Sequence, residues 1–173
     1  MAITYHASEQ FCGAAKDEYE YESGRNSTLD NKVSMTLAFC GVVFLFFANY
    51  LDILTIWKND TTYNCWRCIL KFISSSLQVV CLGCFTVCIV KLFRILKPKT
   101  YCRLDANYLL TETLPEWNKE QAYMYLGKKY AELAAFNRNV NETRSKEYSR
   151  SIKWLLFAML FCVINEIIKF NLL

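Results

Sequence analysis

The chain holds one histidine, two prolines and five glycines among 173 residues, and each scarcity removes a class of explanation. With His6 as the only imidazole, and no second CxxC to join Cys65-Trp66-Arg67-Cys68, a zinc site is not expected. A nuclease of the HEPN type needs an arginine followed a few residues later by a histidine, and no such pair exists. There is no glycine-rich phosphate loop, no GxSxG and no HExxH. The expectation is a non-enzyme with no cofactor and no metal. The prolines are Pro98 and Pro115, and Gly127 is the only glycine from Glu116 to Lys169. Little in that long segment forces a helix to end.

Apolar residues are plentiful by contrast, at 54% beside 21% charged residues. They concentrate in three stretches, Met35–Leu51, Phe72–Val90 and Trp154–Ile168. Crossing a bilayer core takes about 20 apolar residues. The first two stretches carry no charge; in the third, Asn165 and Glu166 interrupt the run. The nine cysteines do not read as a disulfide framework, since Cys40, Cys81, Cys84, Cys88 and Cys162 lie inside these stretches and act as small hydrophobes. Met1–Lys32 is polar and acidic, without the apolar centre of a signal peptide.

The predicted fold class is all-α: an integral membrane protein with three transmembrane helices and a cytoplasmic helical bundle, its last span continuous with a long cytoplasmic helix. Four regions are expected. Residues 1–32 form an acidic cytoplasmic helix, starting near Ser8, with Gly24 as a candidate break. Residues 33–97 form a transmembrane hairpin, 98–151 a helical insert, and 152–173 the third span. Within the insert, Pro98 should stop the second helix. A short helix is expected over Asp105–Thr111, and Leu114-Pro115-Glu116-Trp117 reads as the start of the long helix. Tyr123, Leu126, Tyr130, Leu133 and Val140 then recur at helical spacing as an apolar seam, which turns polar at Arg144, Glu147 and Ser151.

Charge orients the spans. Residues 1–32 hold three basic and six acidic side chains, whereas residues 91–153 hold 13 basic and seven acidic ones. Lys91, Arg94, Lys97, Lys99 and Arg103 follow the second span, and Arg144, Lys146, Arg150 and Lys153 precede the third. Positive charge marks the cytoplasmic side. The N-terminus is therefore expected inside, the C-terminus outside, although Lys58, Arg67 and Lys71 flank the outer loop. Trp57, Tyr63, Trp66 and Trp154 fit an interfacial aromatic belt.

Polar residues in or beside the apolar stretches are the candidate functional groups: Asn49, Gln78, Asn165 and Glu166. Glu166 and Asn49 lie close to helix ends. Gln78 is deeper and shares a narrow face with Ser74, Cys81 and Cys88. Two readings of that face stand: helix packing through small residues and one hydrogen bond, or a pore lining of Ser74, Gln78 and Cys81 in an oligomer. A second cluster precedes the first and third stretches: Arg25, Asn26, Asp30 and Lys32 in one segment, Arg138, Asn139, Asn141, Arg144 and Lys146 in the other. It reads either as a collar for anionic lipid or, through Arg25, Lys32, Arg138 and Arg144, as a control site for an anionic ligand such as a nucleotide. Its charges are interleaved with acids, so direct nucleic-acid binding is not expected.

The segment Glu20-Tyr21-Glu22-Ser23-Gly24-Arg25-Asn26-Ser27-Thr28-Leu29-Asp30-Asn31-Lys32 leads a polar helix with an Arg and an Asp-x-Lys into a two-span hairpin. Ala134-Ala135-Phe136-Asn137-Arg138-Asn139-Val140-Asn141-Glu142-Thr143-Arg144-Ser145-Lys146 leads in the same manner into the last stretch. Both segments resemble small bacterial membrane effectors of anti-phage systems, the SLATT-type and Pycsar-type transmembrane effectors. The resemblance covers nearly the whole chain in its order of spans and insert. It implies a homo-oligomeric, pore-forming or membrane-disrupting effector that depolarises the bacterial inner membrane when activated, by a nucleotide second messenger or a defence-system partner protein. The alternative is a non-conducting scaffold that anchors a soluble partner, as a CRISPR-associated accessory protein would.

Overall fold

The computed structural model describes residues 7–50, 65–97, 100–105 and 117–170, with side chains 48–50 left aside. The described residues hold three α-helices and no strand: α1, Ser8–Tyr50; α2, Cys65–Leu96; and α3, Lys119–Phe170. All three are long and apolar enough to cross a membrane. The chain divides into two compact units. One comprises Met1–Asn31 and Pro98–Ser145, the other Lys32–Lys97 and Lys146–Leu173.

α1 does not break at Gly24. A helical glycine is about 1 kcal/mol worse than alanine, but nothing here demands a positive φ. The hydroxyls of Ser27 and Thr28 donate to the Gly24 carbonyl at 2.8 and 3.0 Å, bonds that follow the helix rather than end it. The first helical residue of α3 is Lys119; of the start expected at residues 114–117 only Trp117 lies among the described residues, and it precedes the helix. Asn118 and Gln121 form a reciprocal cap. The Gln121 amide donates to Asn118 Oδ1 at 2.9 Å, and the Asn118 amide donates to Gln121 Oε1 at 3.4 Å. The expected helix over Asp105–Thr111 and the aromatics Trp57 and Tyr63 fall outside the described residues, apart from Asp105, which is irregular.

In the first unit, α1 and α3 run parallel. Cys12, Ala15, Glu22 and Leu29 are buried on α1; Gly127, Ala134, Asn137, Asn141 and Arg144 are buried on α3. Tyr19 and Tyr130 pack their rings at 5.6 Å. The α3 residues, with Tyr130, alternate at spacings of three and four, the seam of a two-helix packing. It lies one residue away from the apolar seam expected at Leu126, Leu133 and Val140, which are only half-buried. The displacement has a steric cause: a Cβ at Gly127 would meet the Phe11 ring at 2.5 Å and the Cys12 Cα at 3.2 Å. Glycine and alanine let the backbones approach, and asparagines can then reach across.

The second unit is built inside out relative to a water-soluble bundle. Val33, Cys40, Cys81, Cys84, Phe85, Cys88, Leu92, Ile95, Leu155 and Ala158 form its core. Phe85 stacks on Phe44 at 5.9 Å and meets the edge of Phe47 at 5.7 Å. Yet only 17%, 33% and 22% of the three apolar windows are buried, so Phe39, Leu45, Phe46, Phe72, Val79, Phe157 and Val163 point outward. Apolar surface on that scale needs a cover other than water.

Two glycine substitutions should separate these effects. Gly13 on α1 faces open space, so Gly13→Ala should stabilise the protein by about 0.5–1 kcal/mol. Gly127→Leu should destabilise it by about 1–3 kcal/mol through overpacking against Phe11 and Cys12. Thermal unfolding of the purified chain in detergent reads both.

Candidate functional site

The densest polar chemistry lies in the first unit, and its centre is Arg144. The guanidinium is nearly sealed from solvent, with 4% of its side chain exposed. One terminal nitrogen donates to Asn26 Oδ1 and, at 3.2 Å, to Tyr101 Oη; the other is paired with Asp30. Burial alone would push the guanidinium pKa down, but the bonds to Tyr101 and Asp30 outweigh it and hold the group above its ordinary value. Arg144 is therefore a fixed charge.

A second buried charge sits beside it. Glu22, with 2% of its side chain exposed, is approached by Arg25 at 3.4 Å, by Arg138 Nε at 3.6 Å and by Asn141 Nδ2 at 2.9 Å. Asn141 Nδ2 also donates to the Glu22 carbonyl at 2.8 Å, and its Oδ1 accepts the Tyr101 hydroxyl at 2.5 Å. Arg138 is additionally paired with Glu18. A buried carboxylate and a buried guanidinium each have several partners, the condition under which buried ions persist.

The short segment 100–105 is strapped onto this network. Besides the Tyr101 hydroxyl, the Cys102 amide donates to Asn137 Oδ1 and Asn137 Nδ2 donates to the Cys102 carbonyl, both at 3.2 Å. A side-chain amide thus pairs with a peptide group as a neighbouring strand would. Between α1 and the strap opens a polar pocket of about 300 Å³, lined by Tyr19, Ser23, Asn26, Tyr101, Cys102 and Arg103, with Asn137.

The second unit holds its own polar cluster. The Ser74 hydroxyl donates to Asn165 Oδ1 at 2.7 Å, and the Cys81 thiol donates to the Ala158 carbonyl at 3.1 Å. Gln78 lies between them, 4% exposed, and neither its Nε2 nor its Oε1 has a hydrogen-bond partner among the described residues. It borders a cavity of about 20 Å³, also lined by Phe47, Cys81, Cys162, Asn165 and Glu166, room for about one water. Glu166 is paired with Lys169 at 3.2 Å.

The structure therefore gathers Arg25, Arg138 and Arg144 around protein acids and amides, while Lys32 stands exposed in the other unit, outside that network. Ser74, Gln78 and Cys81 share one face of α2 and are buried within the second unit. Asn26, Asp30 and Asn141 join the arginines as the sequence pairs them. Glu22, Tyr101 and Asn137 were not singled out from sequence. Asn137 has a sequence signal, because it shares the three-and-four register of Tyr130, Asn141 and Arg144. Among the described residues no group of three or more His, Cys, Asp or Glu side chains could hold a metal. Comparison with protein-family models, curated proteins and solved structures found no match.

The network ranks its own arginines. Arg144→Met should lower stability by about 2–3 kcal/mol, since it removes a buried guanidinium together with its bonds to Asn26, Asp30 and Tyr101. Arg138→Met should cost about 1 kcal/mol or less, because that side chain is 47% exposed and Glu22 keeps two other donors. Equilibrium unfolding in detergent checks the order, and equal losses would mean that Arg144 is not central.

Proposed function

We propose that this chain is a three-span integral membrane protein that assembles with copies of itself and, when activated, opens a polar path across the bacterial inner membrane. The reading is that of a depolarising effector held silent at rest. The observation that carries it is Gln78. An unpaired amide buried in an apolar setting is unfavourable by roughly 1–3 kcal/mol, more in hydrocarbon, and membrane helices keep such residues chiefly where they serve function. Ser74, Asn165 and Glu166 lie close by in the same unit. At rest, α2 keeps this face against α3 through the Ser74 and Cys81 bonds. In the proposed active state the two helices part, and Ser74, Gln78 and Cys81 turn toward a shared central path.

The engagement of that same face within a single chain favours a second reading, in which the spans merely anchor the first unit for a soluble partner and nothing is conducted. Gln78→Leu separates the two. In the effector reading it removes ion flux from proteoliposomes and abolishes loss of membrane potential on induced expression. It also raises thermal stability, because the unpaired amide is gone. A wild-type chain that never passes ions, with or without its neighbouring genes, supports the anchor.

In the proposed topology the N-terminus and insert are cytoplasmic. Cys65 and Cys68, exposed at the start of α2, should react with a membrane-impermeant maleimide added to intact spheroplasts. Cys102 should react only after permeabilisation. The reverse pattern would invert the topology.

A further inference from the structure

The 300 Å³ pocket of the first unit has a lining that nothing in the effector reading uses. Arg103 stands on its rim, exposed, and takes part in no ion pair or side-chain hydrogen bond among the described residues. The other arginines of this unit are differently placed: Arg25, Arg138 and Arg144 are all matched to Glu18, Glu22 or Asp30. No acid lines the pocket among the described residues. Around Arg103 stand groups whose hydrogen-bonding capacity is left over. Asn26 accepts from Arg144 through its Oδ1, which leaves its Nδ2 pair of donors unspent among the described residues. The hydroxyls of Tyr19 and Ser23 likewise have no partner there. Asn137 and Tyr101, whose polar groups are spent on the strap and on Asn141, fix the wall rather than offer contacts.

One guanidinium fork without a carboxylate, set among hydroxyl and amide donors in a cavity of ligand size, has a definite complement. The fork matches a phosphate oxygen pair. The hydroxyls and the Asn26 amide match alcohol groups on the same molecule, and the volume lies at the lower end of small-molecule sites. We propose that this pocket binds a small hydroxylated phosphate ester, its phosphate on Arg103 and its hydroxyls on Ser23, Asn26 and Tyr19. That chemistry has two sources, a soluble sugar phosphate and the glycerol phosphate headgroup of an anionic lipid. Neither depends on whether the spans conduct.

Cys102, half-buried in the lining, is a built-in reporter. The full-length chain is placed in nanodiscs of phosphatidylcholine, and the alkylation of Cys102 is followed by mass spectrometry, with exposed Cys65 as internal control. Ribose 5-phosphate should slow Cys102 alkylation and leave Cys65 unchanged, whereas ribose at the same concentration should do neither. Arg103→Gln, at an exposed side chain, should weaken the protection about tenfold. In a second arm the nanodiscs contain phosphatidylglycerol and no soluble ligand. Protection there that Arg103→Gln removes assigns the site to a lipid headgroup; protection by ribose 5-phosphate alone assigns it to a soluble ester. Absence of protection in both arms, or protection that Arg103→Gln leaves intact, overturns the proposal.

Discussion

A guanidinium withdrawn from water sets the terms for the first unit. Arg144 cannot neutralise itself as a lysine or carboxylate would, so burial obliges the fold to supply partners. Asp30 and Asn26 supply them from α1 and Tyr101 from the strap. Glu22 imposes the same demand with opposite sign and is met from α3. Each helix thus buries a charge that draws partners from the other, and the strap is tied to both charges, to Arg144 directly and to Glu22 through Asn141. Apolar contact alone would leave two such helices free to slide by a turn. The buried ions favour one register, since a shift would part Arg144 from Asp30 and Asn26 and leave Glu22 with Arg25 alone.

The second unit inverts this arrangement. Its outer surface is aromatic and aliphatic, and its interior sets Phe85, Leu92, Ile95 and Leu155 among small or mildly polar groups: cysteines, serine, alanine, one glutamine. In lipid there is no gain from hiding leucine, so helices associate through close approach and side-chain hydrogen bonds. The Ser74–Asn165 bond and the Cys81 thiol on the Ala158 carbonyl are of that kind. Gln78 is the exception, the one buried amide whose needs the described residues do not meet.

The three helices were legible because long apolar runs and scarce prolines leave few alternatives. What was not legible depended on a partner's shape. The seam of α3 was expected on leucines and tyrosines, the residues that usually mark a buried stripe. The buried stripe instead carries Gly127, Ala134, Asn137 and Asn141, whose merit is smallness and reach, qualities that only the facing helix gives value to. Pro115 offered a plausible helix start, yet the Asn118–Gln121 pair satisfies the first turn. Gly24 looked like a break, but a glycine with helical φ and hydroxyls bonding back to its carbonyl is simply a helical residue. The polar cluster was half legible: its arginines stood out by charge, while Glu22 was hidden among other acids and Tyr101 sat in a segment without periodicity.

Asn137 holds the strap by reading the peptide group of residue 102 and nothing of its side chain. Recognition of that sort is blind to sequence. Position 102 is free to change its side chain in related chains without loosening the strap, and so to retune the pocket it lines. Proline alone is barred there, because it has no amide hydrogen for Asn137 to accept. The strap is a place where the pocket's chemistry can evolve while the fold that frames it stays constant.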